Sequence, residues 1–276
     1  MCGIIGYVGN KPANEVIFDG LTRLEYRGYD SAGIAVVDNG TIYVKKDIGK
    51  LRNIRKLLVD EFESLSTVGI GHTRWATHGR PSAFNAHPHG DCNQTLMVAH
   101  NGIIENFMHL RKQLMSEGHK LLSETDSEVL AHLIEKNYKG DLKLSLIDSL
   151  MAVEGAYAMS VVHKDHPDKI LCARKDAPLL IGLGSGENFV ASDVTAILQY
   201  TRKVVYLDNY EGAIVTKDGV EFFNTRTGET VEKQAVIVDW NPVAAEKGGF
   251  SHFMLKEIYE QPQVIRNTIG GRTSEE

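Results

Sequence analysis

The chain has 276 residues, of which 42% are hydrophobic and 24% charged, and it carries a formal net charge of −6. That length holds a sizeable core, as one large domain or as one domain plus a piece of another. The negative charge gives no electrostatic case for a nucleic acid partner. No apolar run approaches the ~20 residues of a membrane span, and the N-terminus lacks the basic and apolar regions of a signal peptide.

Cys2, Cys92 and Cys172 are too few and too scattered for a disulfide framework, which suits a reducing cytoplasm. The opening Met1-Cys2-Gly3-Ile4-Ile5-Gly6 has two readings. It is either a plain buried strand or, once Met1 is removed, a residue with a thiol nucleophile and a free α-amine. That amine, with an unperturbed pKa of roughly 7.7–8.0 against about 10.4 for lysine, holds far more free base at neutral pH. The thiol, mostly protonated there, needs such an acceptor.

Val16, Ile17, Leu21 and Leu24 recur at helical spacing, predicting a helix over Ala13 to Tyr26 that stops at Arg27-Gly28. Gly33–Val37 and Thr41–Lys46 read as strands joined by Asn39-Gly40, a pair suited to a tight hairpin turn. A short helix over Leu51 to Phe62, with Leu51, Ile54, Leu57 and Leu58 on one face, leads into a strand over Val68–His72. Thr73 to Asp91 lacks apolar periodicity and is rich in glycine, proline, histidine and asparagine, as in an ordered loop that lines a site.

Thr95–Ala99 reads as a strand, and Glu105–Glu117, Asp126–Tyr138 and Leu142–Val153 as helices. Thereafter strands dominate: Ala156–His163, Lys169–Arg174, Leu179–Gly184, Phe189–Ala191, Val204–Leu207, Ala213–Thr216, Val220–Phe223 and Val236–Asp239, with a short helix near Val194–Leu198. Helices grouped between blocks of hairpin-linked strands favour an α+β layered sandwich of mainly antiparallel sheets. Ser251 opens a further helix that Pro262 is expected to end or kink. Residues 241–276 therefore read as a linker and the truncated start of a second domain after a first domain over 1–240.

Several polar groups invite chemistry, each with a plainer alternative. Arg27-Gly-Tyr-Asp-Ser-Ala-Gly33 alone is a helix stop. Arg74, between a buried strand and Trp75, is either a solvated charge or a planar fork gripping a carboxylate. His100-Asn101-Gly102 is an ordinary turn or a pair of donors, side-chain amide and following N–H, aimed at one oxyanion. Asp126 lies in Thr125-Asp-Ser-Glu128, which fits a capping box with Thr125 as N-cap, but it is equally able to hold an ammonium group. Gly182-x-Gly-x-Gly186 lacks the helix a phosphate loop needs and reads as strand-end turns. Six of the eleven histidines fall between His72 and His109. Among these, His87 and His89 with Cys92 supply three possible metal ligands, but their spacing matches no usual structural zinc pattern, and no metal is expected.

Taken together and in order, Met1-Cys-Gly-Ile, Arg27–Gly33, Gly71-His-Thr-Arg-Trp-Ala-Thr-His-Gly79, Asn85-Ala-His-Pro-His89, His100-Asn-Gly102 and Glu124-Thr-Asp126 resemble the motifs of class II glutamine amidotransferases, in the version of the hexosamine-synthesising branch. The resemblance covers essentially the whole chain. It implies the four-layer αββα sandwich of N-terminal nucleophile hydrolases, with glutamine as substrate, no cofactor and no metal. It further implies Cys2 as nucleophile with its own amine as base, and Asn101 and Gly102 as oxyanion donors. Arg74 and Asp126 would hold the glutamine α-carboxylate and α-ammonium. Thr77, His78 and His87 would line the pocket, Arg27 and Gly28 would brace the N-terminus, and Trp75 would cover the site on a mobile loop. Ammonia would pass to fructose 6-phosphate in a C-terminal isomerase domain absent from this chain, whose start resembles Lys256-Glu-Ile-Tyr-Glu-Gln-Pro262. The full-length enzyme would be a cytoplasmic homodimer with neither nucleic acid nor membrane as partner.

Overall fold

The computed structural model describes residues 2–55, 66–239 and 249–269. The chain forms two compact units, Met1–Val238 and Asp239–Glu276. The first is built on two antiparallel sheets. One runs in the order β14-β11-β9-β10-β1-β4-β2-β3 and the other β13-β12-β8-β7-β6-β5. The strands nearest the site are β1 (Gly3–Val8), β2 (Ser31–Asp38), β3 (Thr41–Ile48), β4 (Val68–Arg74), β5 (His89–Gly90), β6 (Leu96–Ile104), β7 (Gly155–His163) and β8 (His166–Lys175). The remaining strands are β9 (Leu180–Leu183), β10 (Asn188–Ala191), β11 (Lys203–Tyr206), β12 (Glu211–Thr216), β13 (Val220–Asn224) and β14 (Val236–Ile237).

Period-two alternation explains the layering, since successive side chains of a strand point to opposite faces. In β1, Ile5 and Tyr7 pack with Val16, Ile17 and Leu21 of helix α1 (Ala13–Leu24), whereas Ile4 and Val8 face the second sheet. In β6, Met97 and Ala99 enter that shared core, whereas Leu96 and Val98 meet α2 (Phe107–Ser116), α3 (Glu128–Asn137) and α4 (Leu142–Leu150). Both sheets are thus covered on both faces, giving the α-β-β-α order the resemblance implies.

The hairpin between β2 and β3 turns on Asn39 and Gly40, with φ values of +48° and +73°, the positive pair a two-residue hairpin turn demands. Residues 51–55 are helical, with Leu51 and Ile54 buried. The rest of that predicted helix, including Leu57 and Leu58, lies outside the described residues. Helix α3 does not start from a capping box: its N-cap is Ser127 and makes no side-chain cap bond. Glu128 instead accepts from the main-chain N–H groups of Leu122 and Ser123 at 2.7 Å each, because the preceding segment folds back over the helix start. Gly182 lies within β9, paired with Phe189, and Gly184 and Gly186 lie in the turn from β9 into β10, with Gly186 at φ +67°.

The second unit carries helix α5 (Phe253–Ile269), which runs through Pro262 rather than ending there. Proline removes one backbone donor, and the turns on either side maintain the helix.

Candidate functional site

Cys2 stands immediately before β1, an interior strand flanked by β10 and β4. The register pairs Gly3 with Thr73, so the end of β4 arrives beside the thiol. Trp75 donates its main-chain N–H to Cys2 Sγ at 3.1 Å, and Asn101 Nδ2 donates to the Cys2 carbonyl oxygen at 3.2 Å. Behind the residue, Ile4 N donates to Ser192 Oγ at 2.9 Å, and Ser192 N returns a bond to the Ile4 carbonyl. Burial pushes the Cys2 thiol up, with the Trp75 N–H pulling the other way. A thiol so placed stays protonated at neutral pH and requires a base.

The thiol opens on a cavity of about 530 Å³. Its walls include Cys2, Arg27, Arg74, Trp75, Thr77, His78, His87, Asn101, Gly102 and Asp126, so every predicted site residue except Gly28 lines it. Gly28 lies just behind: a Cβ on it would come within 2.7 Å of the Arg74 carbonyl carbon, so only glycine permits this approach. Arg27 Nη1 bonds Asp193 at 2.6 Å, which fixes the same bend. Asp30 accepts from the Ala76 N–H and from Ser31 Oγ, tying the bend to the loop after β4.

Arg74 is buried. Its Nη2 donates to the carbonyls of His78 and Gly79, whereas Nη1 is buried with no hydrogen-bond partner. A buried guanidinium N–H without an acceptor is costly, and here it belongs to a cavity-lining residue. Asp126 is also buried and accepts from Ile104 N at 2.8 Å through one oxygen. Asn85 joins the loop to the segment before α3, with Glu124 N donating to its Oδ1 at 2.9 Å and its own Nδ2 donating to the Arg80 carbonyl at 2.8 Å. Thr77 is exposed at the cavity rim. Trp75 is half-exposed, with its ring edge-on to Tyr29 at 5.5 Å between centroids. The tryptophan therefore reaches the thiol through its main chain.

Four buried histidines cluster beneath the cavity, and two of them, His87 and His100, line it. His72 Nε2 lies 2.9 Å from Asn101 Oδ1 and 3.1 Å from the His100 carbonyl oxygen. Both are acceptors, so the ring carries its proton on Nε2 and donates to both. The Asn101 amide is thereby held with its NH₂ toward Cys2. The ring of His87 stacks on that of His72 at 4.1 Å, and its Nδ1 accepts from His100 N at 3.2 Å. His100 Nδ1 bonds Ser127 Oγ at 2.8 Å. Burial pushes His72 down to about 3 and lowers His87, His89 and His100 as well, leaving neutral rings. Lys46, pushed down to about 8 by burial, donates to the carbonyls of Ala86 and Pro88 and holds the Asn85–His89 segment in place. Gly102 adopts φ +135°, and a Cβ there would come within 2.0 Å of the Ala156 carbonyl oxygen.

Sequence reasoning did not single out His72, Ser127, Ser192 or Asp193 as site residues, nor the Asp176–Pro178 wall of the cavity. His72 sat inside a quoted motif, but its task depends on a partner strand in the other sheet. Nothing in the local pattern of Asp176–Pro178 marks it as part of a pocket.

A family model described as a glutamine amidotransferase domain matches residues 72–199. Among curated proteins, the glutamine–fructose-6-phosphate aminotransferase (isomerizing) of Caldanaerobacter subterraneus is 53% identical over 99% of this chain and 44% of its own length. The protein of that name from Thermus thermophilus is also 53% identical, over 100% of this chain and 45% of its own. Of solved structures, a glutamine phosphoribosylpyrophosphate amidotransferase from B. subtilis superposes with a TM-score of 0.70 at 28% identity, covering 82% of this chain and 50% of that one. Residues 72–199 thus carry a glutamine amidotransferase domain. That superposition takes in most of the chain that forms the two-sheet sandwich. The chain spans less than half the length of the curated relatives it matches.

Proposed function

We propose that this amidotransferase domain hydrolyses glutamine to glutamate and ammonia through a thioester on Cys2. The observation that carries the reading is the convergence of the Cys2 thiol, the unpartnered Nη1 of buried Arg74 and the His72-oriented amide of Asn101 on one cavity. Arg74 Nη1 grips the α-carboxylate, and Asp126 accepts from the α-ammonium. That places the side-chain amide of the substrate over the sulfur.

Once Met1 is removed, the α-amine of Cys2 takes the thiol proton as sulfur attacks the carboxamide carbon. Negative charge moves to the carbonyl oxygen, where Asn101 Nδ2 and the Gly102 N–H receive it. The amine returns its proton to the departing nitrogen, ammonia leaves and the thioester forms. Water, deprotonated by the same amine, then cleaves the thioester to glutamate and restores the thiol. Thr77, His78 and His87 shape the pocket, Arg27 and Gly28 brace the bend behind the nucleophile, and Trp75 borders the mouth.

The relatives' names point to the acceptor. We infer that in a longer protein the ammonia is delivered to fructose 6-phosphate, giving glucosamine 6-phosphate, in an isomerase domain that residues 241–276 begin. The exposed Met254, Ile258, Val264 and Ile265 of α5 support this, being apolar side chains that a further domain would cover. The same reading makes the full-length enzyme a cytoplasmic homodimer. Three cysteines without a disulfide among them suit that compartment.

The test is glutaminase turnover of the Met1-free chain against its Cys2→Ala variant, with mass spectrometry after reaction with an electrophilic diazoketone analogue of glutamine. Stoichiometric labelling of Cys2 and loss of turnover in the variant are expected. Labelling elsewhere, or turnover without Cys2, overturns the proposal. For the acceptor, a chain extended past Glu276 is assayed with fructose 6-phosphate and with phosphoribosyl pyrophosphate, and preference for the latter overturns that part alone.

A further inference from the structure

Away from the cavity, a second group of polar side chains converges from three separate segments. Cys92 stands in the turn between β5 and β6, His119 follows the end of α2, and His132 and Glu135 share one face of α3. Cys92 Sγ lies 3.6 Å from His119 Nδ1 and 3.5 Å from His132 Nδ1. The two imidazole nitrogens are 3.3 Å apart, and Glu135 Oε2 is 2.8 Å from the first and 3.3 Å from the second.

These separations follow a recognisable pattern. Around a tetrahedral zinc ion, with Zn–S about 2.3 Å and Zn–N about 2.0–2.1 Å, the S···N edges measure about 3.5–3.6 Å and the N···N edge about 3.3–3.4 Å. Four of the five observed edges fall at or near those lengths. The fifth, His119 to Glu135, is a hydrogen bond that must open by about half an ångström to reach the N···O edge of such a tetrahedron. The next shell is present too. His132 Nε2 is buried without a hydrogen-bond partner and faces the Glu128 carboxylate at 3.8 Å, a small closure short of the bond by which a carboxylate orients a metal-bound imidazole.

We propose that Cys92, His119, His132 and Glu135 bind one zinc ion. One thiolate, two imidazoles and a carboxylate suit zinc rather than calcium or magnesium, and four protein ligands leave no open position, so the site is structural rather than catalytic. Binding releases the Cys92 thiol proton to solvent as the Zn–S bond forms. The expectation of no metal rested on His87 and His89 as partners of Cys92, whereas His87 lines the cavity and His89 packs against His87, with its Nε2 bonded to Thr125 Oγ1.

The ion's position suggests what it does. It joins the β5–β6 turn, the α2–α3 connection and α3, and the same connection runs on through Ser123 to Thr125 and Asp126 at the cavity wall. Zinc would therefore hold from behind the segment that presents Asp126.

The test uses chelator-treated chain titrated with cobalt(II), a spectroscopic stand-in for zinc. One equivalent is expected to produce the visible bands of a tetrahedral centre and a thiolate-to-cobalt charge-transfer band, both bleached by zinc. Cys92→Ser, a change at an exposed residue, is expected to lose the charge-transfer band and to weaken zinc binding at least tenfold, whereas Cys2→Ser retains both. Zinc should raise the melting temperature of the parent chain but not of Cys92→Ser or His119→Ala. Absence of stoichiometric cobalt binding, or a charge-transfer band that survives Cys92→Ser, overturns the proposal.

Discussion

His72 donates from Nε2 to Asn101 Oδ1 at 2.9 Å, and this bond determines which end of the asparagine amide faces Cys2. Without it the amide is free to rotate and present oxygen where a donor is required. Asn101→Ala is expected to lower kcat by about 10²–10³-fold, the usual loss for one oxyanion donor. His72→Ala should lower kcat about tenfold with little change in KM, and His72→Gln, whose amide N–H also donates, should recover part of that. Steady-state kinetics on variants with unaltered circular dichroism decide the matter. A normal kcat in His72→Ala would remove His72 from the positioning role.

Arg74 spends Nη2 on the His78–Gly79 carbonyls and keeps Nη1 buried without a partner, and Nη1 is the group proposed to take the glutamine carboxylate. A lysine ammonium is a single point and does not do both. Arg74→Lys is expected to weaken glutamine binding by about 10- to 100-fold, the span of a lost charged hydrogen bond. Calorimetric titration with glutamine measures this directly, and unchanged affinity would place the carboxylate elsewhere.

Turnover should be negligible in chains that retain Met1, as judged by intact mass, and should appear when it is removed. In the processed chain the amine must be neutral to accept the thiol proton. The rate is thus expected to rise with pH through the range of an α-amino group, roughly 7.7–8.0 when unperturbed. Equal turnover with Met1 present would exclude the amine as base.

The four buried histidines also predict acid lability. Their folded-state pKa values are lowered by burial, to about 3 for His72. As pH falls below about 6.5 the unfolded chain binds protons that the folded chain refuses. Stability from this source is therefore full above that pH and declines below it, with a limiting slope of about 1.4 kcal/mol per pH unit for a ring that stays neutral in the fold. Urea midpoints at pH 7.5 and 5.5, with NMR titration of the ring protons, check it. Four rings protonating near 6.5 in the folded state would contradict the burial argument.

Legibility of the sequence followed the range of the interactions involved. The Asn39-Gly40 turn and the first helix depend on neighbours a few residues away, and both read correctly. The faces of β1 and β6 were hidden because both sides of each strand are buried, so alternation between two cores looks like one apolar run. Glu128 satisfied a local capping rule yet bonds Leu122 and Ser123, a fold-back no four-residue pattern encodes. Site motifs could be listed from the chain, but the hand-off from His72 to Asn101 crosses two sheets. Cys92 likewise meets partners 27 and 40 residues away, beyond the spacing of any short ligand motif.

The register of β1 leaves the Cys2 sulfur no slack. Cys2 adjoins Gly3, which already pairs with Thr73, and Ile4, Ile5, Tyr7 and Val8 are each committed to one of two cores. A single residue inserted after Cys2 could not be taken up by a loop. It would either push the sulfur about 3.3 Å out of place or turn Ile4 and Ile5 to the wrong sides, so the length of this short lead is as strictly fixed as the identity of the atom it carries.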